Sequence, residues 1–340
     1  MPRIRRRPRT VPISDVSTFS ATRTTARIVT IRVLLGFALL VTGTAGWWSE
    51  TDAAANVPGR LLFVRDTGIW MWQGGTVSRV LIERNVRDAR WSPNASQIMY
   101  VQQGNSFSDL VMLDVASGTK IPVTYNEPPY EAGTPEYVLT SWWALDPDWS
   151  SSGVIGFMSD YQSPDGTFQL WLMDQSFSTS LAPAAQFEDN ISSLSLSADA
   201  SIAAYVVQER QLDGTSINRA VVRDLADGIA YPIASSRNAF DPAISPDQQS
   251  IAVAVRQDNG GSDLFIVDRA TGDLTRVTKD LQATNPTWSP DGNWLAFVRM
   301  IDYQFEVWAS PIVNGDPGKP VKLFGAAGFD ARSGISWTFA

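Results

Sequence analysis

The sequence predicts an all-β chain, a six-bladed β-propeller of four-stranded antiparallel blades whose first blade is closed by the C-terminal strand. Three observations predict it. A Trp-Ser turn motif recurs at a near-constant spacing, each copy is followed by the same series of short apolar strands, and the two ends of the series are complementary.

Taken in order, the chain opens with an arginine-rich segment, residues 1–32, carrying Arg3, Arg5, Arg6, Arg7, Arg9, Arg23, Arg27 and Arg32. The uncharged, mostly apolar residues 33–48 follow, and a linker runs over 49–59. A basic segment before an apolar run is the pattern of an export signal, with the arginine end retained in the cytoplasm. Sixteen residues fall short of the roughly 20 that span a bilayer as a helix, so a cleaved signal peptide and a single retained anchor both fit. Either places residues 60–340 outside the cytoplasm, in the periplasm or at the cell surface. The membrane would be a partner only through an uncleaved segment.

From Arg60 onward, short runs of β-branched and aromatic residues alternate with Gly, Pro, Asp and Ser. The Trp-Ser anchor is sharpest at Trp288-Ser289-Pro290-Asp291-Gly292. Its equivalents are Trp91-Ser92, Trp149-Ser150, Leu196-Ser197 and Ile244-Ser245. The serines lie 58, 47, 48 and 44 residues apart. A second strand follows each anchor, at residues 98–101, 154–157, 202–205, 251–254 and 295–298, and a third at 110–114, 170–174, 220–224, 264–268 and 307–311. Fourth strands are clearest at 119–124 and 274–278. Residues 61–82 supply a second, third and fourth strand without a first, whereas the chain ends on a first strand without a sequel. Joining them closes a ring and removes two exposed sheet edges. The register of the closing strand stays open, since either Ser333 or Trp337 could occupy the Trp288 position.

The unit Trp288 to Phe297 resembles the WD-repeat-like unit of the TolB-type six-bladed β-propellers, and degenerate copies in phase with it cover roughly residues 60–340. The resemblance implies an extracytoplasmic propeller that serves in protein complexes or as the non-catalytic part of larger enzymes. The short distance between the apolar segment and the first blade carries the further expectation that the family's N-terminal α/β domain is missing.

Composition narrows the chemistry. With no cysteine and no histidine, disulfides, thiol catalysis, the usual transition-metal ligands and a Ser-His-Asp triad are excluded. The net charge of −8 includes the eight N-terminal arginines, so the body is more acidic still, which disfavours nucleic acid as a partner. No catalytic residue, cofactor or metal site is expected. The Pro and Gly of the turn motif suit turn geometry, and the tryptophans suit packing between blades.

The repeat breaks at residues 125–147, an extended loop without evident secondary structure that accounts for the longest interval. Its aromatic and acidic residues, with neighbours in loops expected on the same face, give the binding candidates Tyr130, Tyr137, Trp142, Trp143, Asp160, Tyr161 and Tyr303. The resulting expectation is a non-catalytic module that binds an unidentified protein or cell-envelope component. Alternatives are a membrane-anchored sensory or ligand-binding ectodomain and a carboxylate-dependent glycosidase or lyase. The last requires two acids among Glu127, Glu131, Asp146, Asp148, Asp160 and Glu209 about 5 to 10 Å apart.

Overall fold

The computed structural model describes residue 54 and residues 56–339, apart from 164, 175, 182–189, 234–237 and 281. The expected arginine-rich and apolar segments, residues 1–48, lie outside the described residues. Among the described residues no helix is long and apolar enough to cross a membrane.

The alternating pattern folds as expected. Blade I contains β1 (Arg60–Arg65), β2 (Gly68–Gln73) and β3 (Thr76–Ile82). Blade II contains β4 (Val86–Trp91), β5 (Gln97–Gln103), β6 (Ser108–Asp114) and β7 (Lys120–Pro122). Blade III contains β8 (Ala144–Trp149), β9 (Ile155–Ser159), β10 (Gln169–Met173) and β11 (Thr179–Leu181). Blade IV contains β12 (Ile191–Leu196), β13 (Ile202–Arg210), β14 (Ser216–Asp224) and β15 (Ala230–Pro232). Blade V contains β16 (Ala239–Ile244), β17 (Ser250–Arg256), β18 (Ser262–Asp268) and β19 (Leu274–Arg276). Blade VI contains β20 (Ala283–Trp288), β21 (Trp294–Ile301), β22 (Gln304–Val313), the short β23 (Asp316–Pro317) and β24 (Val321–Gly325).

The last strand, β25 (Ile335–Thr338), pairs antiparallel with β1 and completes blade I in the order β25-β1-β2-β3. Trp337 lies opposite Leu61, as Trp91 lies opposite Ile98 in blade II, so Trp337 and not Ser333 holds the position of Trp288. Packing supports the closure. Trp337 and Ile335 are buried with Leu61, Phe63 and Trp72 in one cluster, and the Trp337 indole N–H donates to the carbonyl of Pro58 at 3.0 Å.

The second strands form the centre of each blade because they are buried on both faces. Leu61 to Val64, Ile98 to Val101, Ala203 to Val206, Ile251 to Ala254 and Leu295 to Val298 are all almost fully enclosed. Between blades, Trp91, Leu196, Ile244, Trp288 and Trp337 occupy equivalent buried positions, as expected for packing residues.

The serine of each turn proves to be structural too. The hydroxyls of Ser245 and Ser289 donate to Asp247 and Asp291 at 2.6 Å, and those of Ser92 and Ser197 to Asn94 and Asp199 at 2.9 Å. The same hydroxyls accept from the backbone N–H that starts the next strand, at Gln97, Ile202, Ser250 and Trp294, over 2.9 to 3.0 Å. Beside them Ala95, Gly153, Ala200, Gln248 and Gly292 all have positive φ, and only two of these are glycine. The serine bonds therefore hold a left-handed turn that alanine and glutamine would not favour on their own.

Candidate functional site

The insertion after β7 is not wholly irregular. Residues Pro135–Leu139 form a short helix, α1, capped by the Thr134 hydroxyl, which accepts from the Tyr137 N–H at 3.2 Å. Thr134 at the N-cap and Pro135 in the first turn are ordinary start signals, which the loop reading of this segment passed over. The insertion is tied down at both ends. Asn126 donates through its backbone N–H to Asp109 at 2.7 Å and through its amide to the Ser108 carbonyl at 2.7 Å. The Ser108 hydroxyl and Ala144 exchange hydrogen bonds of 2.8 and 3.0 Å, fixing the entry to β8.

Four of the seven sequence-derived candidates converge here. Asp160 accepts from the Trp143 N–H at 2.7 Å, and burial pushes the Asp160 carboxyl up from its ordinary value against that bond. The Tyr161 ring stands edge-on to Trp142, with centroids 5.7 Å apart, and edge-on to Trp171 at 5.5 Å. Trp171, on β10, was not foreseen; its indole N–H is buried and has no hydrogen-bond partner among the described residues. The other three candidates are placed differently. Tyr137 is the buried residue of α1, Tyr130 is half exposed on the insertion, and Tyr303 stands almost fully exposed on the β21–β22 hairpin of another blade, without a ring contact to the cluster. Around the cluster, Tyr125, Val138 and Leu139 are also exposed.

Within the first strands lies a feature that sequence reading missed. Each of β4, β8, β12, β16 and β20 carries a bulge in its register with the second strand. In each bulge one residue has positive φ: Asp88 (51°), Asp146 (47°), Ser193 (57°), Asp241 (50°) and Asn285 (49°), with Gly334 (63°) before β25. All six stand three residues before the Trp288-type position. Asp and Asn tolerate this conformation best among side-chain-bearing residues, which accounts for their recurrence.

These residues link neighbouring blades around the centre. Asp88 accepts from the Asp146 N–H at 3.4 Å, Asp146 from the Ser193 N–H at 2.8 Å, and Asp241 from the Asn285 N–H at 3.1 Å and the Ser193 hydroxyl at 3.2 Å. A second set of bonds runs two residues further on. Asp148 accepts from the Leu196 N–H at 2.7 Å, Ser195 from the Ile244 N–H at 3.0 Å, and Ser336 from the Trp91 N–H at 3.1 Å. Arg90 donates to the Ser333 carbonyl at 2.9 Å, across the closure of the ring.

The carboxylates crowd one another. Asp88 is fully buried, bonded to Arg87 at 2.8 Å, and its Oδ1 has no partner among the described residues. Burial and the nearby Asp146 charge push Asp88 up to about 7, despite Arg87 and Arg90. Burial lifts Asp241 to about 6 and raises Asp148. Between the bulges and the Ser-Pro turns lies a central cavity of about 290 Å³, walled by Arg90, Asp146, Asp148, Asp241, Asn285 and Arg332 among others.

The remaining acids considered for catalysis do not join this wall. Glu209 grips Arg219 through bonds of 2.7 and 2.9 Å, Asp160 caps Trp143, and Glu127 and Glu131 are exposed on the insertion. Among the described residues no cluster of three or more acidic side chains is arranged to hold a metal ion.

No protein-family model matches the sequence. The fold is similar to TolB from Acinetobacter baumannii, at 16% identity and a TM-score of 0.62 over 82% of this chain and 66% of that one, so the chain spans just under two thirds of that relative's length. It is similar to a TolB-assigned structure from Agrobacterium tumefaciens at 13% identity and a TM-score of 0.59, covering 82% of this chain and 98% of that one. A chain of the nidogen–laminin complex matches at 9% identity and a TM-score of 0.55 over 82% of this chain and 97% of that one. At these identities the likeness is one of fold: a TolB-like six-bladed β-propeller.

Proposed function

We propose that this protein is a non-catalytic, extracytoplasmic binding module that engages a protein or cell-envelope component through the surface around residues 125–147. The observation that carries the reading is the Trp142–Tyr161–Trp171 array, held in edge-to-face contact and anchored by the Asp160–Trp143 bond beside exposed Tyr130, Val138 and Leu139. Pre-ordered, half-exposed aromatic side chains lose little entropy on binding and supply large contact area. The channel carboxylates support the non-catalytic part of the reading. Asp146, Asp148 and Asp241 each commit an oxygen to a backbone N–H of the neighbouring blade, which suits holding the ring together more than acid–base turnover. Propellers of this fold occur in assemblies, as in the nidogen–laminin complex.

The test is quantitative capture of partners from a cell-envelope extract by the wild-type protein and by a Trp142→Ala/Tyr161→Ala variant. Loss of a specific partner with retained folding supports the reading; identical capture refutes it. Localisation is tested by fractionation, with protein in the cytoplasmic fraction as the contrary result.

A second reading, a ligand-binding sensory ectodomain, is favoured by the polar central cavity with three carboxylates in its wall. Its test is a shift in melting temperature on screening small polar cations and sugars, abolished by Asp146→Asn.

A further inference from the structure

Blade I differs from the other blades at its outer edge. The outermost strands β7, β11, β15 and β19 are three residues long and β24 of blade VI five, whereas β3 runs for seven, Thr76–Ile82. Among the described residues no strand pairs with its outer side, because β3 ends the order β25-β1-β2-β3. A long, unpaired edge is a template for another strand, and folds commonly shorten or cover such edges.

The register shows which groups are on offer. Gly74 and Gly75 both have positive φ and form a two-residue hairpin, so the flanking Gln73 and Thr76 are the inward, mutually bonded pair. Alternation then turns the N–H and C=O groups of Val77 and Arg79 outward. The pairing skips Val80, a bulge that twists the strand beyond Arg79 and confines the straight segment to residues 76–79.

Charge identifies the occupant. Arg79 lies directly opposite Trp70 in the register, and its guanidinium stands 5.6 Å from that ring. Arg65 lies over the same ring at 4.7 Å. Asp66 neighbours Arg65, and Glu83 is bonded to Lys120, which leaves exposed Arg79 without a carboxylate partner among the described residues. A strand added to β3 would set a side chain opposite Arg79, on the face where Arg65 and Trp70 lie. A second copy pairing antiparallel about Arg79 would place two arginines opposite each other, which is unfavourable.

We propose that the β3 edge is a strand-addition site for an extended acidic peptide segment of a partner protein, with backbone pairing at Val77 and Arg79 and a carboxylate received by Arg79. This site is independent of the surface around residues 125–147, and its failure would leave that reading intact.

The experiment uses the full chain with two acetylated, amidated heptapeptide probes, one alternating valine with glutamate and one alternating valine with lysine. The expected results are about fivefold or tighter binding of the acidic probe, added amide-exchange protection confined to Val77 and Arg79, and reversal of the probe order in Arg79→Glu. Val77→Pro removes an outward N–H and should lose the acidic probe with an unchanged melt; if that variant fails to fold, Arg79→Glu decides alone. Equal affinity for both probes, protection away from β3, or an unreversed order in Arg79→Glu would overturn the proposal.

Discussion

The first strands and the insertion that leads into one of them differ in kind. Within the first strands the chain repeats itself: Asp88, Asp146, Ser193, Asp241 and Asn285 sit in the same bulge with the same positive φ, and most pass a hydrogen bond to the next blade. In the insertion and the hairpin beside it the chain does something once, building α1 and the Trp142–Tyr161–Trp171 array at blade III. Repeated polar residues with bonds to their neighbours are what closing a ring requires. A singular aromatic surface has no such structural duty in the other blades, which is why binding is assigned to it.

The largest effect expected on the repeated side comes from its closure. Removing residues 330–340 deletes β25, and with it the burial of Ile335 and Trp337 against Leu61, Phe63 and Trp72. A loss of about 5 kcal/mol or more is expected, seen as a melt lowered by 10 °C or more or as no cooperative melt at all. An unchanged melt would mean that the ring does not depend on the strand joining its ends.

Next comes Trp288. Its indole donates to the Ala243 carbonyl at 3.0 Å while the ring fills the space between blades V and VI. Trp288→Ala should cost roughly 3 to 5 kcal/mol in denaturant unfolding. Trp288→Leu should cost clearly less, because Leu196 and Ile244 fill the equivalent space elsewhere. Equal losses would show that the aromatic ring itself is required.

Asp88 gives a pH signature of similar or smaller size. Its carboxyl is lifted to about 7 in the folded chain, so folding takes up a proton between the ordinary carboxylate range and that value. The stability it contributes is present at low pH and lost as pH rises toward 7. Across roughly pH 4 to 7 this amounts to about 2 to 4 kcal/mol. Asp88→Asn should flatten the slope of unfolding free energy over that window, and parallel profiles for the two proteins would contradict the account of the ring.

Much of this architecture was legible in the sequence because its causes are local. The Trp288 turn set the phase, alternation gave the strands, and the complementary ends gave closure. The register of β25 was not legible, since Ser333 and Trp337 both fit the motif until pairing with Leu61 decided between them. The channel ring left a readable trace, an Asp or Asn three residues before the anchor in four copies, but Ser193 and Gly334 interrupt it. Its meaning also depends on partners one blade away in sequence, bonded across the centre. Trp171 joined the aromatic array through Tyr161 in the loop of its own β9–β10 hairpin, a contact that no spacing encodes.

The most direct measurement of the central claim compares the two regions in one experiment. Partner recovery from an envelope extract is measured for the wild-type protein, for Trp142→Ala/Tyr161→Ala and for Asp146→Asn/Asp148→Asn, each confirmed folded by its melt. The account predicts recovery reduced about tenfold or more in the aromatic variant and near wild-type in the channel variant. Loss of the partner in the channel variant, with full recovery in the aromatic one, would contradict it.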